Sequence, residues 1–387
     1  MSKFHIAADQ DILDGKVTDA YFARTQEILG KKDISKPVVM ELRASSLPSG
    51  WPWAVLAGLD EALTLIENIG KPIDFYCLDE GTIFCPGDPI GYLIGDYKDI
   101  CVYETAFLGL FCQATGIATR SARCVKAAEH RPVLSFGARR LHPAMSILVD
   151  RNAYLGGCKG FSSVITAEEI GIPASGTIPH ALVLLVGDTA EATKLFDEVI
   201  DPNVPRISLI DTFSDEKYEA LRVAEALGDR LFGIRLDTPS SRRGDFIALL
   251  KEVRWELNLR GYDNVKIVAS GGLNEDKILQ LNPYCDSYGV GTAISNAPVV
   301  DFALDIVEID DVPIAKRGKF AGRKRLLDQG RTAFEREMIP WKENDPRKEN
   351  DLIQLKIQQG KLVYDLPDLN TIRDYVLEQI PHIGLEG

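Results

Sequence analysis

Seven short apolar segments in the middle of the chain each end in polar or glycine-rich residues, which include most of the side chains able to do chemistry. The endings are, in chain order, Phe136-Gly137-Ala138-Arg139-Arg140, Lys159-Gly160-Phe161-Ser162-Ser163, Ser175-Gly176-Thr177-Ile178-Pro179-His180, Ile210-Asp211-Thr212, Ile234-Arg235-Leu236-Asp237-Thr238, Ala269-Ser270-Gly271-Gly272-Leu273 and Tyr288-Gly289-Val290-Gly291-Thr292. If the segments are parallel strands of a β/α barrel, all endings meet at the carboxyl-end mouth, where such barrels have their active sites.

The last two endings favour a phosphate. Glycine lets backbone N–H groups approach a ligand closely, and the start of the following helix adds partial positive charge. Arg139, Arg140 and Arg235 could contact anions through paired hydrogen bonds. Asp211 and Asp237 could hold ribose hydroxyls, or a Mg²⁺ ion that is liganded mostly by phosphate and water.

Each feature also has a simpler structural explanation when it is taken alone. A glycine pair after a strand is commonly a tight turn, and Arg235 with Asp237 could form a structural ion pair. His180 could be a hydrogen-bonded structural histidine, and Phe136 could be a core residue. Because all of them occur at successive strand ends, we interpret them together as a functional site.

The sequence pattern of helices and strands, the elements that position these residues, changes along the chain. From Val133 onwards short apolar strands alternate with helical segments, which predicts a parallel sheet covered by helices, closed into a barrel. A doubly wound open sheet is the alternative. We expect an N-terminal α/β part over residues 1–115, a β/α barrel over residues 116–298 and a C-terminal segment over residues 299–387 that packs back on the N-terminal part.

Local signals add detail to this organisation. Thr18 is a plausible N-cap of a first helix, Pro37 to Ala44 is predicted as a strand, and Ala174 to Thr177 is predicted as a barrel strand. Asp215 to Leu227, Asp245 to Leu259 and Leu369 to Gln379 are predicted as helices.

Composition excludes several classes of function. The 387 residues hold 44 Lys and Arg against 57 Asp and Glu, a net charge of −13 that argues against a nucleic-acid or anionic-membrane binder. No apolar run approaches the ~18 uncharged residues of a transmembrane helix, and no signal peptide is evident, so we expect a cytoplasmic protein. The seven scattered cysteines form no Cys-x-x-Cys pair and are interpreted as reduced, mostly buried residues rather than metal ligands.

These residues resemble the type II phosphoribosyltransferases, and within them the nicotinate phosphoribosyltransferases. The similarity extends from Thr18-Asp19-Ala20-Tyr21-Phe22 to the last glycine-rich ending, and its most specific motifs are those that end in His180 and Leu273. The resemblance implies an irregular β/α barrel packed with an α/β sandwich domain formed from both chain ends. It also implies transfer of a phosphoribosyl group from 5-phosphoribosyl-1-pyrophosphate to nicotinate, releasing pyrophosphate, with coupled ATP hydrolysis and Mg²⁺ as cofactor.

The same resemblance implies roles for individual residues. His180 would become phosphorylated by ATP, Phe136 and a Tyr21 from the partner subunit would sandwich the pyridine ring, and Arg139 would meet the nicotinate carboxylate. Ser162 stands where nicotinamide-specific relatives use an aspartate. The residues expected around the ribose and diphosphate are Asp211, Arg235, Asp237, Gly271, Gly272, Gly289, Gly291 and Thr292. We therefore expect a homodimer or higher homo-oligomer with shared active sites.

The resemblance leaves alternatives open. Quinolinate phosphoribosyltransferase shares the barrel but is typically shorter and needs no ATP, and nicotinamide phosphoribosyltransferase is a second rival. A non-catalytic phosphate-sugar binding protein on a degenerate barrel is a third. Some archaeal-type relatives carry a cysteine-rich zinc knuckle near the C-terminus, but no cysteine follows Cys285, so no zinc is expected there.

Overall fold

The computed structural model describes residues 4–330 and 335–386. The chain divides into two compact units, one formed by residues 1–119 and 297–387 and the other by residues 120–296. The helices are α1 (Asp9–Leu13), α2 (Ala20–Lys31), α3 (Leu59–Ile69), α4 (Tyr97–Ile100), α5 (Glu104–Ala128), α6 (Ser146–Leu155), α7 (Val164–Ile170), α8 (His180–Val186), α9 (Thr189–Val199), α10 (Glu216–Leu227), α11 (Ser240–Arg243), α12 (Phe246–Leu259), α13 (Glu275–Leu281), α14 (Thr292–Ser295) and α15 (Leu369–Gln379).

The strands form two main sheets and two short two-stranded sheets, β14-β15 and β2-β4. They are β1 (Pro37–Ala44), β2 (Ala54–Val55), β3 (Asp74–Cys77), β4 (Ile83–Phe84), β5 (Pro89–Asp96), β6 (Val133–Ser135), β7 (Gly160–Phe161), β8 (Ile207–Leu209), β9 (Gly233–Leu236), β10 (Lys266–Ser270), β11 (Ser287–Val290), β12 (Phe302–Ile309), β13 (Val312–Pro313), β14 (Lys324–Asp328), β15 (Arg336–Pro340), β16 (Gln354–Gln358) and β17 (Lys361–Leu362).

The first unit contains an antiparallel sheet built from both chain ends. Its strand order is β13-β12-β1-β5-β3-β16-β17, so the N-terminal strands β1, β3 and β5 lie between C-terminal strands on both sides. Apolar side chains of β1 and β3 pack with α3 and α5 in one buried cluster, in which the Phe75 and Phe107 rings meet edge to face at 5.5 Å. This confirms the expectation of a sandwich domain formed from both ends of the chain.

The second unit contains six parallel strands in the order β7-β6-β11-β10-β9-β8. The order confirms the β/α barrel but leaves it open, because β7 and β8 do not pair with each other. The predicted strand over Ala174 to Thr177 is wrong. That segment runs beside β7 without joining a ladder, and its one backbone link to the sheet is Ser175 N–H donating to the Phe161 carbonyl at 2.7 Å.

Several local predictions are tested by the observed boundaries. The strand β1 and the helix α15 have the predicted ends, and α10 and α12 begin one residue later because Asp215 and Asp245 are their N-caps. Thr18 is not the N-cap of α2; Asp19 occupies that position, although its side chain makes no capping hydrogen bond. One-residue differences of this kind are usual where two capping residue types are adjacent.

The long helix α5 corrects the expectation about apolar runs. Residues 97–128 are long and apolar enough to cross a membrane by length and composition alone. Half of the most apolar window is buried inside the protein, and Phe107 and Phe111 belong to the core of the first unit. The helix is therefore accounted for as a core helix of a folded domain.

Candidate functional site

The carboxyl ends of the six parallel strands place most of the predicted site residues in the second unit. Phe136 follows β6, Ser162 follows β7, Asp211 follows β8, Asp237 follows β9 and the Gly271–Gly272 turn follows β10. Parallel strands direct their carboxyl ends to one edge of a sheet, so the shared architecture brings these residues to the same mouth.

His180 and Asp211 form a hydrogen-bonded pair. His180 begins α8, and its Nε2 lies 3.2 Å from Asp211 Oδ1. The histidine side chain is 42% exposed whereas the aspartate side chain is 1% exposed. Burial raises the pKa of Asp211, while the nearby His180 acts in the opposite direction. The other carboxylate oxygen, Oδ2, is buried without a hydrogen-bond partner.

Arg235 lies at the centre of a second group of contacts. Its Nε donates to Ser270 Oγ at 2.9 Å, its Nη1 donates to Thr177 Oγ1 at 2.8 Å, and its Nη2 lies 3.3 Å from Asp237 Oδ2. Its guanidinium also lies 5.2 Å from the centre of the Phe136 ring. The ion pair of Arg235 and Asp237, one of the structural alternatives considered from sequence, is therefore present.

Burial lowers the pKa of Arg235, and the neighbouring Arg139 guanidinium contributes to the same direction. This influence places Arg139 within electrostatic range of Arg235, although Arg139 itself is exposed and follows β6 in a short 3₁₀ turn. Asp237 and Asp211 act on the pKa of Arg235 in the opposite direction. Because Arg235 is paired with Asp237, the exposed Arg139 is a cation that this part of the mouth offers to an anion.

Gly289 lies inside strand β11 rather than in a turn. A Cβ placed on Gly289 would meet Cε2 of the Phe136 ring at 2.4 Å. The missing side chain therefore makes room for the aromatic ring, which is held between this strand and Arg235. The sequence interpretation of Gly289 as part of a phosphate turn did not foresee this packing role, because the contact joins two residues far apart in the chain.

We expect Gly289→Ala to destabilise the second unit, because the new methyl group cannot fit beside the Phe136 ring. Overpacking of this kind costs about 1–3 kcal/mol, and the thermal unfolding midpoint should fall by several degrees. Gly176→Ala is the matched control, since a Cβ there meets no atom within 4 Å. Equal midpoints for the two variants would contradict the packing role of Gly289.

The Gly271–Gly272 turn has a backbone conformation that favours glycine at both positions. Both residues have positive φ angles, +85° and +64°, which favour glycine. Their carbonyls point to cations, because Arg243 Nη2 donates to the Gly271 carbonyl at 2.9 Å and Lys277 Nζ donates to the Gly272 carbonyl at 2.7 Å. Within residues 120–296, all of which the structure describes, the N–H of Gly272 has no acceptor and remains available to a ligand.

Arg243 is a positioning residue that the sequence analysis missed. Besides Gly271, it donates to the Thr238 carbonyl at 2.9 Å and to the Ser270 carbonyl at 3.1 Å, which ties the loops after β9 and β10 together. The only signal in the sequence was an arginine pair before Gly244, and nothing there indicated its partners.

Asp150 links strand β6 to the turn that follows β7 through two hydrogen bonds. Its carboxylate accepts from Ser135 Oγ at 2.9 Å and from the Ser163 backbone N–H at 3.2 Å. Burial raises the pKa of Asp150 to about 6. The contact fixes the turn that carries Ser162, which is exposed and precedes the N-cap of α7, Ser163. Ser162 is therefore not the cap of that helix.

The remaining predicted residues are placed as follows. Gly291 and Thr292 follow β11, with Gly291 at the N-cap of the short helix α14. Arg140 ends the 3₁₀ turn that carries Arg139. Tyr21 belongs to the first unit; its ring is 58% exposed on α2, and its hydroxyl donates to Asp19 Oδ2 at 3.4 Å. Its exposed position leaves the ring free for a contact outside its own unit.

Among the described residues, no group of three or more His, Cys, Asp or Glu side chains could hold a metal ion. A metal held mainly by substrate oxygens needs only one or two carboxylates. Asp211 and Asp237 fit that requirement, because they lie close enough for the Asp237 charge to raise the pKa of Asp211 and because Asp211 Oδ2 has no partner. None of the seven cysteines forms a disulfide bond, and five of them are buried.

Comparisons with known proteins agree with this architecture. The N-terminal domain model of quinolinate phosphoribosyl transferase matches residues 19–115 and its C-terminal domain model matches residues 117–305. A nicotinate phosphoribosyltransferase of Mycobacterium tuberculosis is 30% identical over 361 residues, with 82% of this chain and 78% of that protein covered. Nicotinate phosphoribosyltransferase of Bacillus subtilis is 28% identical over 435 residues, with 94% and 88% covered.

One solved structure is similar to this chain over nearly its whole length. The crystal structure of a nicotinate-nucleotide pyrophosphorylase from Pyrococcus furiosus superposes with a TM-score of 0.94 at 48% identity, and 99% of each chain is covered. The half-barrel has polar residues at its strand ends, and the antiparallel domain is made from both chain ends. The relatives match this chain over nearly its whole length, which agrees with both features. The chain belongs to the type II phosphoribosyltransferases, with the two domains of the quinolinate phosphoribosyl transferase models, and it is a phosphoribosyltransferase.

Proposed function

We propose that the chain is a nicotinate phosphoribosyltransferase that joins nicotinate to 5-phosphoribosyl-1-pyrophosphate, releases pyrophosphate and couples the reaction to ATP hydrolysis. The observation that carries this proposal is the His180–Asp211 pair, a partly exposed imidazole held by a buried carboxylate. Base transfer alone needs no such nucleophile, whereas coupling to ATP does. The relatives named nicotinate phosphoribosyltransferase, at 28–30% identity, support the same choice of base.

In this proposal the two nitrogens of His180 have different tasks. With Nε2–H donating to Asp211, the lone pair on Nδ1 is the nucleophile, and no described residue bonds to Nδ1. Nδ1 attacks the γ-phosphorus of ATP, the bond to the bridging oxygen breaks, and its electron pair leaves with ADP. The Asp211 carboxylate then stabilises the positive charge that develops on the ring.

Transfer of the phosphoribosyl group requires positioning more than covalent chemistry. The pyridine nitrogen attacks the anomeric carbon as the bond to pyrophosphate breaks, through a transition state with positive charge on the sugar. The Phe136 ring orients the base, while Arg235 and the N–H groups of the glycine turn hold the departing diphosphate. A Mg²⁺ ion at Asp211 and Asp237 would neutralise charge on the diphosphate oxygens.

Ser162 and Arg139 give the reason for preferring a carboxylate over an amide. Nicotinate is an anion, so a neutral Ser162 does not repel it and the nearby Arg139 attracts it, whereas an aspartate at this place would favour the amide of nicotinamide. A charge-assisted hydrogen bond contributes about 1.5–3 kcal/mol, which is roughly ten- to a hundred-fold in affinity.

We expect Ser162→Asp to lower kcat/KM for nicotinate by about ten- to a hundred-fold and to improve nicotinamide relative to it. Steady-state kinetics with both bases measure the ratio. Ser163→Ala is the matched control, because Ser163 is the neighbouring serine and its side chain makes no capping hydrogen bond. An unchanged ratio in Ser162→Asp would place base selectivity elsewhere.

The exposed Tyr21 supports a shared site in a homo-oligomer. If Tyr21 closes over the pyridine ring of a partner subunit, then Tyr21→Ala and His180→Ala chains are each inactive in ATP-coupled transfer when they are expressed alone. Mixing them should restore activity, because a hybrid dimer contains one site with neither change. A lack of rescue after verified subunit exchange, or a fully active monomer in sedimentation, would contradict the shared site.

Quinolinate is the second candidate base, since the matching domain models are those of quinolinate phosphoribosyl transferase and the Pyrococcus furiosus structure is of a nicotinate-nucleotide pyrophosphorylase. The deciding experiment is a pyrophosphate-release assay with nicotinate, quinolinate and nicotinamide, each with and without ATP. Release with nicotinate that is stimulated by ATP supports the proposal. Release with quinolinate alone, independent of ATP and accompanied by CO₂, would replace it with the second candidate.

A further inference from the structure

The interior of the half-barrel is an open cavity of about 1290 Å³, lined by residues of the second unit. A β/α barrel is normally filled by layers of large side chains and has no pore. Here small residues, Ala174, Ser175, Gly176 and Ser287, line part of the interior. The segment Ala174 to Thr177 also takes the place of a paired strand, so the lumen is less filled than in a closed barrel.

The upper end of this cavity lies at the site already described. Phe136 and Thr177 line it there, and both contact Arg235. Leu134 on β6 and Val268 on β10, two strands that are separated by β11, line its middle. The cavity therefore has an apolar body whose upper end is the floor of the candidate active site.

The lower end opens at the amino ends of the strands, which the proposed reaction does not use. Trp255 and Phe232 line this opening and are 70% and 50% exposed, which is unusual for large aromatic side chains. Lys159 and Lys251 also line it, and neither forms an ion pair with a described carboxylate. The acidic side chain of Asp286 is neutralised by Arg254 at 2.9 Å and by Lys266 at 3.5 Å.

Lys251 Nζ also lies 5.1 Å from the centre of the Tyr284 ring. Asp263 and Asp286 are the carboxylates of the lining, against five cationic side chains: Arg131, Lys159, Lys251, Arg254 and Lys266. The opening thus combines exposed aromatic surface with an excess of positive charge, in a chain whose net charge is −13. Aromatic faces bind flat apolar groups, and ammonium groups bind carboxylates, sulfonates or phosphates. The cavity is larger than the ~300–1,000 Å³ of most small-molecule sites, so a small ligand would fill only part of it.

We propose that the amino-end opening of the half-barrel, hereafter the lower mouth, binds a small anion with a flat apolar body. The body enters the lumen between Leu134 and Val268, and the anionic group remains at the mouth with Lys159 and Lys251. Trp255 and Phe232 cover the body where it enters. The site is distinct from the nucleotide and base sites at the carboxyl ends, and it depends neither on which pyridine base is used nor on ATP coupling.

The probe that tests this is 8-anilinonaphthalene-1-sulfonate, which has an aromatic body and one sulfonate and becomes fluorescent in apolar surroundings. We expect the folded full-length protein to bind it saturably in the absence of substrates. The double variant Lys251→Glu/Trp255→Ala should weaken this binding by about tenfold or more, because it reverses one charge and removes the largest aromatic face. Lys361→Glu, an exposed lysine on β17 of the other unit, is the control and should bind as the wild type does.

Ser287→Phe adds a second variant that acts from within the lumen. Its side chain should occupy the space beneath Phe136 and reduce the amount of probe bound while both lysines remain. Circular dichroism and the unfolding midpoint establish that each variant is folded before its binding is compared. The absence of saturable binding to the wild type, or equal weakening by Lys361→Glu and by the mouth variant, would overturn the proposal. Because the assay contains no substrate, its result is independent of the proposed nicotinate activity.

Discussion

His180→Ala should abolish the incorporation of acid-labile phosphate from Mg·ATP, and Asp211→Asn should slow it by about 10²-fold. The alanine variant lacks the nucleophile altogether. The asparagine variant keeps an oxygen that can accept from Nε2, at the observed 3.2 Å, but it lacks the negative charge that stabilises the ring as phosphate is added. The measurement is transfer of radiolabel from the γ-phosphate to protein, with base-stable, acid-labile label indicating phosphohistidine.

Two further results are expected, one for the phosphorylated atom and one for a control variant. Phosphate should be found on Nδ1 and not on Nε2, because Asp211 occupies Nε2. His382→Ala, at an exposed histidine of the other unit, is the control and should label normally. Label that persists in His180→Ala, or that is found on Nε2, would contradict the assignment.

The pH dependence of labelling has a definite sign. Burial raises the pKa of Asp211, so protonation of the carboxyl begins at a higher pH than for an exposed aspartate, whose pKa is about 3.9. As the pH falls through this raised pKa, the carboxylate that holds Nε2–H is lost and the labelling rate should fall with it. The Asp211→Asn variant has no carboxylate to lose at this position. The difference between its labelling rate and that of the wild type should therefore become smaller as the pH falls.

The sequence predicted the strand-end residues better than their partners. Alternating apolar strands and helices indicated a barrel, and strand ends of a barrel must lie at one mouth, so the shared location of Asp211 and Asp237 followed from local pattern alone. Three contacts did not follow from the local pattern: the hydrogen bond between His180 and Asp211, the packing of Phe136 on Gly289, and the hydrogen bonds from Arg243 to the glycine turn. Each joins residues that are far apart in the chain, and their contacts depend on register and packing.

The open edge of the barrel was missed for a related reason. Ala174 to Thr177 has the short extended pattern of a strand, but a glycine and two small hydroxyl residues give it little side-chain surface to pack in a sheet. It retains one backbone bond to β7 and instead presents the Thr177 hydroxyl to Arg235. A side-chain hydrogen bond to Arg235 and one backbone hydrogen bond take the place of a ladder at this position.

Arg235→Met should lower kcat/KM by about 10²- to 10³-fold, whichever pyridine carboxylate is the substrate. Loss of one partner of a buried ion pair costs about 3–5 kcal/mol, and here the Arg235 and Asp237 side chains are only 14% and 19% exposed. The substitution removes the donors to Thr177 and Ser270, the cation beside Phe136 and the counterion of Asp237. The unfolding midpoint should therefore fall together with activity.

The double variant Arg235→Met/Asp237→Asn separates stability from catalysis. Removal of both charges eliminates the unpaired buried carboxylate, so the unfolding midpoint should return towards that of the wild type. Activity should remain low, because the Arg235 guanidinium is no longer there to hold the departing diphosphate. Arg260→Met, which breaks a partly exposed ion pair with Glu256 of α12, is the control for loss of an arginine and should leave kcat/KM unchanged. Recovery of kcat/KM together with the midpoint would mean that Arg235 and Asp237 form only a structural pair, the alternative that the sequence left open.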